Sequence, residues 1–197
     1  MLVAHPSFPA KGVRDLLAIS KKNPGAITYG SQGIGSSGHM SGELFQTMAG
    51  VKWVHVPYKG GALALIDLVG GNISISFGNI PTVIQQVRGG KLRALAMTGA
   101  KRSAAAPDIP TVAESGVPGF AVSNWFGVTA PAKTPMDVQQ RLNIEINRAL
   151  KLPEVRNGFL NAGADPSETT VEQYTAFIHS EYAKWAKVIK AAGIKGE

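Results

Sequence analysis

Thr28-Tyr-Gly-Ser-Gln-Gly-Ile-Gly-Ser-Ser-Gly-His39 holds residue types suited to gripping an anion: a strand-like run enters a Gly/Ser loop that opens a periodic helix. Glycines remove the Cβ atoms that keep a ligand from the backbone, and the free N–H groups of a first helical turn form a partly positive pole. Gly33 and Gly35 supply that access, and Ser31, Ser36 and Ser37 add hydroxyl donors. His39 falls in the first turn, where it either faces the ligand or caps its neighbours. Two more turns, Tyr58-Lys-Gly-Gly61 and Gly78-Asn79, follow strand-like runs. Open α/β sheets hold ligands at the carboxyl ends of their strands, so Tyr58, Gly60, Gly78 and Asn79 join the candidate contacts.

Other chemistries that reuse glycine loops lack their partners. Gly33, Gly35 and Gly38 satisfy the dinucleotide pattern, but that fold calls for an acidic residue about 20 positions on. The strand there ends in Val56-Pro-Tyr-Lys-Gly60, with no carboxylate. A phosphate loop would need Lys and Ser/Thr where His39 stands, and Ser36 and Ser37 miss the spacing of a nucleophile elbow. The chain has no cysteine, and His5, His55 and His179 lack metal-ligand spacing. Glu43 and Asp67 fall on helices and are expected to face solvent. No catalytic residue, metal or cofactor is called for. Noncovalent anion binding and a merely structural Gly/Ser turn remain the two readings of the loop.

The elements that must position these residues form an alternating series. Residues 27–31 read as a strand, and the next helix spaces Met40, Leu44 and Met48 four apart. A strand near 53–56, a helix near 62–69 with the stripe Leu65, Ile66 and Val69, and an alternating strand through Ile73, Ile75 and Phe77 follow. Pro81 opens a further helix to about Arg88, and Leu92–Met97 makes a fourth strand. Such alternation predicts a mostly parallel sheet with helical cover. The proline-rich stretch 99–121 breaks the rhythm, and 124–130 resumes as a strand. Thr134 is expected to cap a helix that buries Val138, Leu142 and Ile146. A short helix near 153–160 follows, then a last one capped by Thr170 with Gln173 as its box partner.

With 197 residues, 44% of them hydrophobic and 17% charged, the chain suits a folded α/β protein rather than disorder. Its net charge of +7 favours anionic partners, but the basic residues show no gathering of the kind a nucleic-acid surface needs. The opening residues lack the basic start and apolar core of a signal peptide, and no stretch has the length of a membrane span.

Several motifs together resemble a known family. Tyr29-Gly-Ser, Gly35-Ser-Ser-Gly-His39, Gly42-Glu-Leu-Phe45, Val54-His-Val-Pro-Tyr-Lys-Gly-Gly61, Lys91-Leu-Arg-Ala-Leu-Ala96, Pro107-Asp-Ile-Pro-Thr-Val-Ala-Glu-Ser-Gly116 and Trp185-Ala-Lys-Val-Ile-Lys190 are similar to those of the Bug receptors. These TctC-like proteins are the extracytoplasmic solute-binding receptors of tripartite tricarboxylate transporters. The resemblance implies a type II periplasmic-binding-protein-like fold, in which two α/β lobes close on a small organic acid. Residues 5–120 would be the second ligand-binding lobe, with one Rossmann-like, mostly parallel sheet. Residues 121–197 would be a crossover strand and the helical return segment of an incomplete first lobe. The family normally has a signal peptide and more of its first lobe ahead of this point, and an acidic residue where this chain has Gly78.

The implied function is carboxylate binding without catalysis, with membrane permease subunits as partners and the periplasm as location. Expressed as written, without a signal peptide, the chain would be cytoplasmic. Two alternatives stand beside this: a small α/β nucleotide-binding protein or enzyme that uses the glycine loop, and a non-binding remnant that self-associates through its incomplete lobe.

Overall fold

Strands of three or four residues, all but the last followed by a helix after a polar or glycine-rich connection, set up a small sheet wrapped by helices. A computed structural model describes residues 1–103, 106–161 and 164–194. The chain divides into two compact units, one of Met1–Asn124 with the segment from Lys187 onward, the other of Trp125–Ala186.

The first unit carries β1 (Leu2–Ala4), α1 (Val13–Lys22), β2 (Thr28–Ser31), α2 (Ser37–Ala49), β3 (Val54–Pro57), α3 (Gly61–Val69), β4 (Ile75–Phe77), α4 (Ile80–Arg88) and β5 (Arg93–Ala96). They form one sheet in the order β3-β2-β4-β1-β5. β2 is parallel to both β3 and β4, whereas β1 is antiparallel to both β4 and β5. Four strands therefore point one way and β1 runs against them, which bears out the mostly parallel sheet. β1 and α1 lie ahead of the first element read from the sequence. Leu2, Val3 and Ala4 are fully buried, and a strand covered on both faces shows no alternation to read.

Helix α2 lies against the sheet through Phe45, whose ring stacks on Trp53 at 4.7 Å and meets Phe120 edge-on at 5.8 Å. Trp53 in turn donates its indole N–H to Ser20 Oγ at 2.8 Å, tying in α1. The proline-rich connection is part of this core rather than a free linker. Thr111 bridges Met97, Val112 donates to the Met97 carbonyl at 2.8 Å, and Val112, Val117, Phe120 and Val122 are buried. On α3 the buried residues are Ala64 and Leu68, while Ile66 of the expected stripe is 65% exposed. In a nine-residue helix as apolar as this one, several faces look alike in sequence.

The second unit holds α5 (Met136–Leu150), α6 (Pro153–Asn161) and most of α7 (Val171–Ala192). Residues 124–130 form no strand, which corrects the expected crossover strand: a strand needs a hydrogen-bonded neighbour, and none pairs with it among the described residues. Pro135, not Thr134, occupies the N-cap of α5, without a side-chain cap. No residue of α5 is buried, so the expected burial of Val138, Leu142 and Ile146 does not occur within the described residues. The capping box of α7 is present, with Gln173 N–H on Thr170 Oγ1 at 3.1 Å and Thr170 N–H on Gln173 Oε1 at 2.9 Å.

Phe45 packs α2 against Trp53, Phe77 and Phe120, so Phe45→Ala is expected to lose about 3–5 kcal/mol of stability. Urea denaturation checks this, and a loss below about 1 kcal/mol would show that α2 is held elsewhere.

Candidate ligand-binding site

The candidate residues gather where β2, β3 and β4 end and α2, α3 and α4 begin. After β2 the chain turns through Gln32-Gly-Ile-Gly35, with Gly33 at φ +130° and Gly35 at φ +74°, conformations that side chains with a Cβ resist. Ser36 is the N-cap of α2, accepting from the His39 amide at 3.4 Å and donating to the Gly33 carbonyl at 2.7 Å. Ser31 ends β2 fully buried, its hydroxyl 2.7 Å from His55 Nε2 and 3.0 Å from the Gly33 carbonyl. The hydroxyls of Ser31 and Ser36 are thus turned into the loop itself.

His39 is also turned inward. Its Nδ1 accepts from the Gly35 amide at 3.0 Å, and its ring stacks on His55 at 4.0 Å and 6°. Tyr29 stacks on His55 at 4.8 Å and donates its hydroxyl to Glu43 Oε1. The same oxygen accepts from Gln46 at 2.9 Å and lies 3.8 Å from His39 Nε2. With Nδ1 accepting, a neutral His39 carries its proton on Nε2, toward Glu43. Glu43 therefore does not face solvent as expected. It belongs to a network under the glycine loop, and nothing in its helical position alone signals that.

Desolvation sets the protonation of this network. Burial lowers His39 below the ordinary histidine value, opposed by the Glu43 carboxylate, and burial with the neighbouring His39 charge pulls His55 down to about 4. Burial raises Tyr29, reinforced by its bond to Glu43.

The other turns are tied in similar ways. The Tyr58 amide donates to the Ser31 carbonyl at 3.1 Å, and its hydroxyl donates to Asp67 Oδ2 at 2.7 Å. Burial, and then that bond, push the Tyr58 phenol up to about 12. Asp67, expected to face solvent alone, is held by Tyr58 and by Asn72 at 3.1 Å. Gly60 takes φ +109°, and its amide reaches the Gln32 carbonyl at 3.2 Å. Gly78 follows β4, and Asn79, exposed at the N-cap of α4, accepts from Asn124 Nδ2. Ser37 is exposed at the first position of α2, and among the described residues neither its amide nor its hydroxyl has a partner. Ile34, at the loop tip, is 49% exposed.

This arrangement suits holding a solute rather than breaking bonds. Ser31 and His55 do form a hydroxyl–imidazole contact, but the hydroxyl is fully buried and the imidazole is too weak a base near neutrality to activate it. Among the described residues no three His, Asp or Glu side chains are grouped to hold a metal ion. Among the same residues no helix is long and apolar enough to cross a membrane.

The turns gather at the carboxyl ends of parallel strands, beside an unpaired amide and hydroxyl, which is where open α/β sheets hold ligands. The chain belongs to the tripartite tricarboxylate transporter family receptors, whose family model matches residues 1–194. Protein BugT of Bordetella pertussis is 37% identical over 195 residues, covering 99% of this chain and 60% of BugT. A solved structure of R. palustris Rpa4515 with adipate has a TM-score of 0.84 and 36% identity, covering 98% of this chain and 65% of that one. MatC (Rpa3494) from Rhodopseudomonas palustris, solved with bound malate, has a TM-score of 0.78 at 28% identity, covering 96% of this chain and 65% of MatC. This chain spans about 60% of the length of BugT. The likeness bears out the type II periplasmic-binding-protein-like fold.

The stacked histidines make stability depend on pH with a definite sign. The unfolded chain, with its histidines near 6.5, takes up protons before the folded one. Their contribution is complete above about pH 6.5 and falls as pH drops toward about 4. Urea midpoints at about pH 7.5 and 5 should show the loss, and His55→Phe, which keeps a ring but no titrating group, should shrink it. An equal drop in both proteins would acquit the histidines.

Proposed function

We propose that this chain supplies one ligand-binding lobe, with part of a second, of a periplasmic receptor that captures a small dicarboxylate for a tripartite tricarboxylate-type transporter. The observation that carries the proposal is the first turn of α2, where the Ser37 amide and hydroxyl are exposed and unpaired beside the glycine loop. A carboxylate oxygen placed there meets an N–H, an O–H and the positive end of a helix at once. Asn79, exposed at the start of α4, offers a polar group at the next strand end. Ser31, Gly33, Gly35, Ser36, His39, Tyr58, Gly60 and Gly78 shape the wall by holding its turns. The adipate and malate of the solved relatives support a dicarboxylate.

Capture needs no covalent chemistry. Lobe closure around the acid excludes water, which strengthens each polar contact, and the closed form is what permease subunits would recognise.

Calorimetric titration of this chain with adipate, malate, NAD and ATP tests the reading. Heat with a dicarboxylate and none with nucleotides is expected, and the reverse would establish the nucleotide-binding alternative. Ser37→Glu should weaken the dicarboxylate about tenfold, since a like charge beside an exposed site costs on the order of 1–2 kcal/mol. Unchanged affinity in that variant would move the anion contact elsewhere.

A further inference from the structure

Among the described residues, Gln32 alone hydrogen-bonds to the first turn of α2, the end of β4 and the turn before α3. Its side-chain Oε1 accepts from the Gly38 amide in the first turn of α2 at 3.1 Å. Its Nε2 donates to the Phe77 carbonyl, the last residue of β4, at 3.2 Å. Its backbone carbonyl accepts from Gly60, in the turn before α3, at 3.2 Å. The orientation of the side-chain amide is unambiguous, because a backbone N–H can only donate and a carbonyl can only accept.

Two glycines make room for this side chain. A Cβ on Gly38 would lie 2.5 Å from Gln32 Oε1 and 3.2 Å from its Cδ, and a Cβ on Gly61 would lie 3.3 Å from its Cγ. Both positions read in the sequence as parts of ligand loops. In the fold, their missing side chains admit Gln32.

The consequence for binding lies in which donors remain. At the α2 pole, Gln32 takes the Gly38 amide and the Ser36 hydroxyl takes the His39 amide. Ser37 is left as the unpaired amide of that turn, with its own hydroxyl beside it. A pole with several free amides would take anions broadly, whereas one amide and one hydroxyl define a direction.

We infer that Gln32 is the positioning residue of the ligand site: it clasps the glycine loop to the end of β4 and to the turn before α3, and so aims Ser37 at the carboxylate. This rests on the receptor reading proposed above. Gln32 itself does not touch the ligand.

The test pairs a readout without ligand to one with it. Amide hydrogen exchange by NMR is followed at Gly38, Gly60 and, as a core reference, Ile75, in the unaltered chain, Gln32→Met and Gly38→Ala. Adipate and its singly charged monomethyl ester are titrated in parallel. In Gln32→Met, exchange at Gly38 should rise about tenfold or more while Ile75 is unchanged, and adipate should bind about tenfold more weakly. Gly38→Ala, which displaces the Gln32 side chain without altering it, should weaken adipate likewise, and it stands in should Gln32→Met fail to fold. Gln32→Glu keeps an acceptor for the Gly38 amide but loses the donor to the Phe77 carbonyl and brings a negative charge to the pole. It should leave Gly38 protected and weaken adipate more than the ester.

Unchanged Gly38 exchange in Gln32→Met would overturn the clasp. A freed Gly38 with unchanged adipate affinity would overturn the positioning role. If the unaltered chain binds neither adipate nor malate, the receptor reading fails and the positioning role falls with it, while Gly38 exchange still decides the clasp.

Discussion

A glycine-rich loop at the strand ends must have its own backbone groups satisfied from beneath, and this requirement organises the first unit. Buried amides and carbonyls left without partners cost as much as lost hydrogen bonds, so the glycine loop cannot simply be empty space. Ser31, Ser36, Gln32 and His39 each turn a polar atom into the loop, to Gly33, Gly38 or Gly35. At the first turn of α2, what remains outward among the described residues is the amide and hydroxyl of Ser37. A site of few free donors on a rigid floor suits reversible capture, because little ordering has to accompany binding.

The floor works because its two imidazoles are held neutral. Two imidazoles 4.0 Å apart can stack when neutral, and burial holds both below their usual range. The same stack carries Gly35 on His39 Nδ1 and Ser31 on His55 Nε2. Charge on His39 would need a proton at the nitrogen that accepts from Gly35, so protonation and loop geometry are coupled. The Ser31–His55 contact that resembles half of a hydrolytic site is, in this setting, a structural bond between strand end and neighbouring strand.

The second unit follows a different economy. Trp125 packs edge-on against Phe177 at 5.2 Å, and Asn143 and Asn147 both donate to the Thr169 carbonyl, at 2.8 and 2.9 Å. Yet α5 and α6 bury no residue, and Phe126 is 91% exposed. Apolar side chains on helices with clear periodicity remain uncovered within the described residues, which is why pattern alone overstated their burial. Periodicity says which face of a helix is apolar, and only a packed neighbour turns that face into a core.

Much of the framework was legible in the amino-acid order. Strand, glycine loop and helix start at 28–39, the strand–helix alternation to residue 97, and the Thr170–Gln173 box rest on local rules that act within a few residues. β1 was not legible, since three apolar residues carry no period until a sheet forms on both sides of them. The strand expected at 124–130 failed for the converse reason: strand-forming residues need a partner to make a strand. The candidate site divides along the same line. Its residue types and turns come from sequence. Which hydroxyls face inward, the stacking of His39 on His55, and the reach of Gln32 to Gly38, Phe77 and Gly60 come from tertiary structure alone. Hydrogen bonds and desolvation act between atoms brought close by the fold, at separations along the chain that no local pattern records.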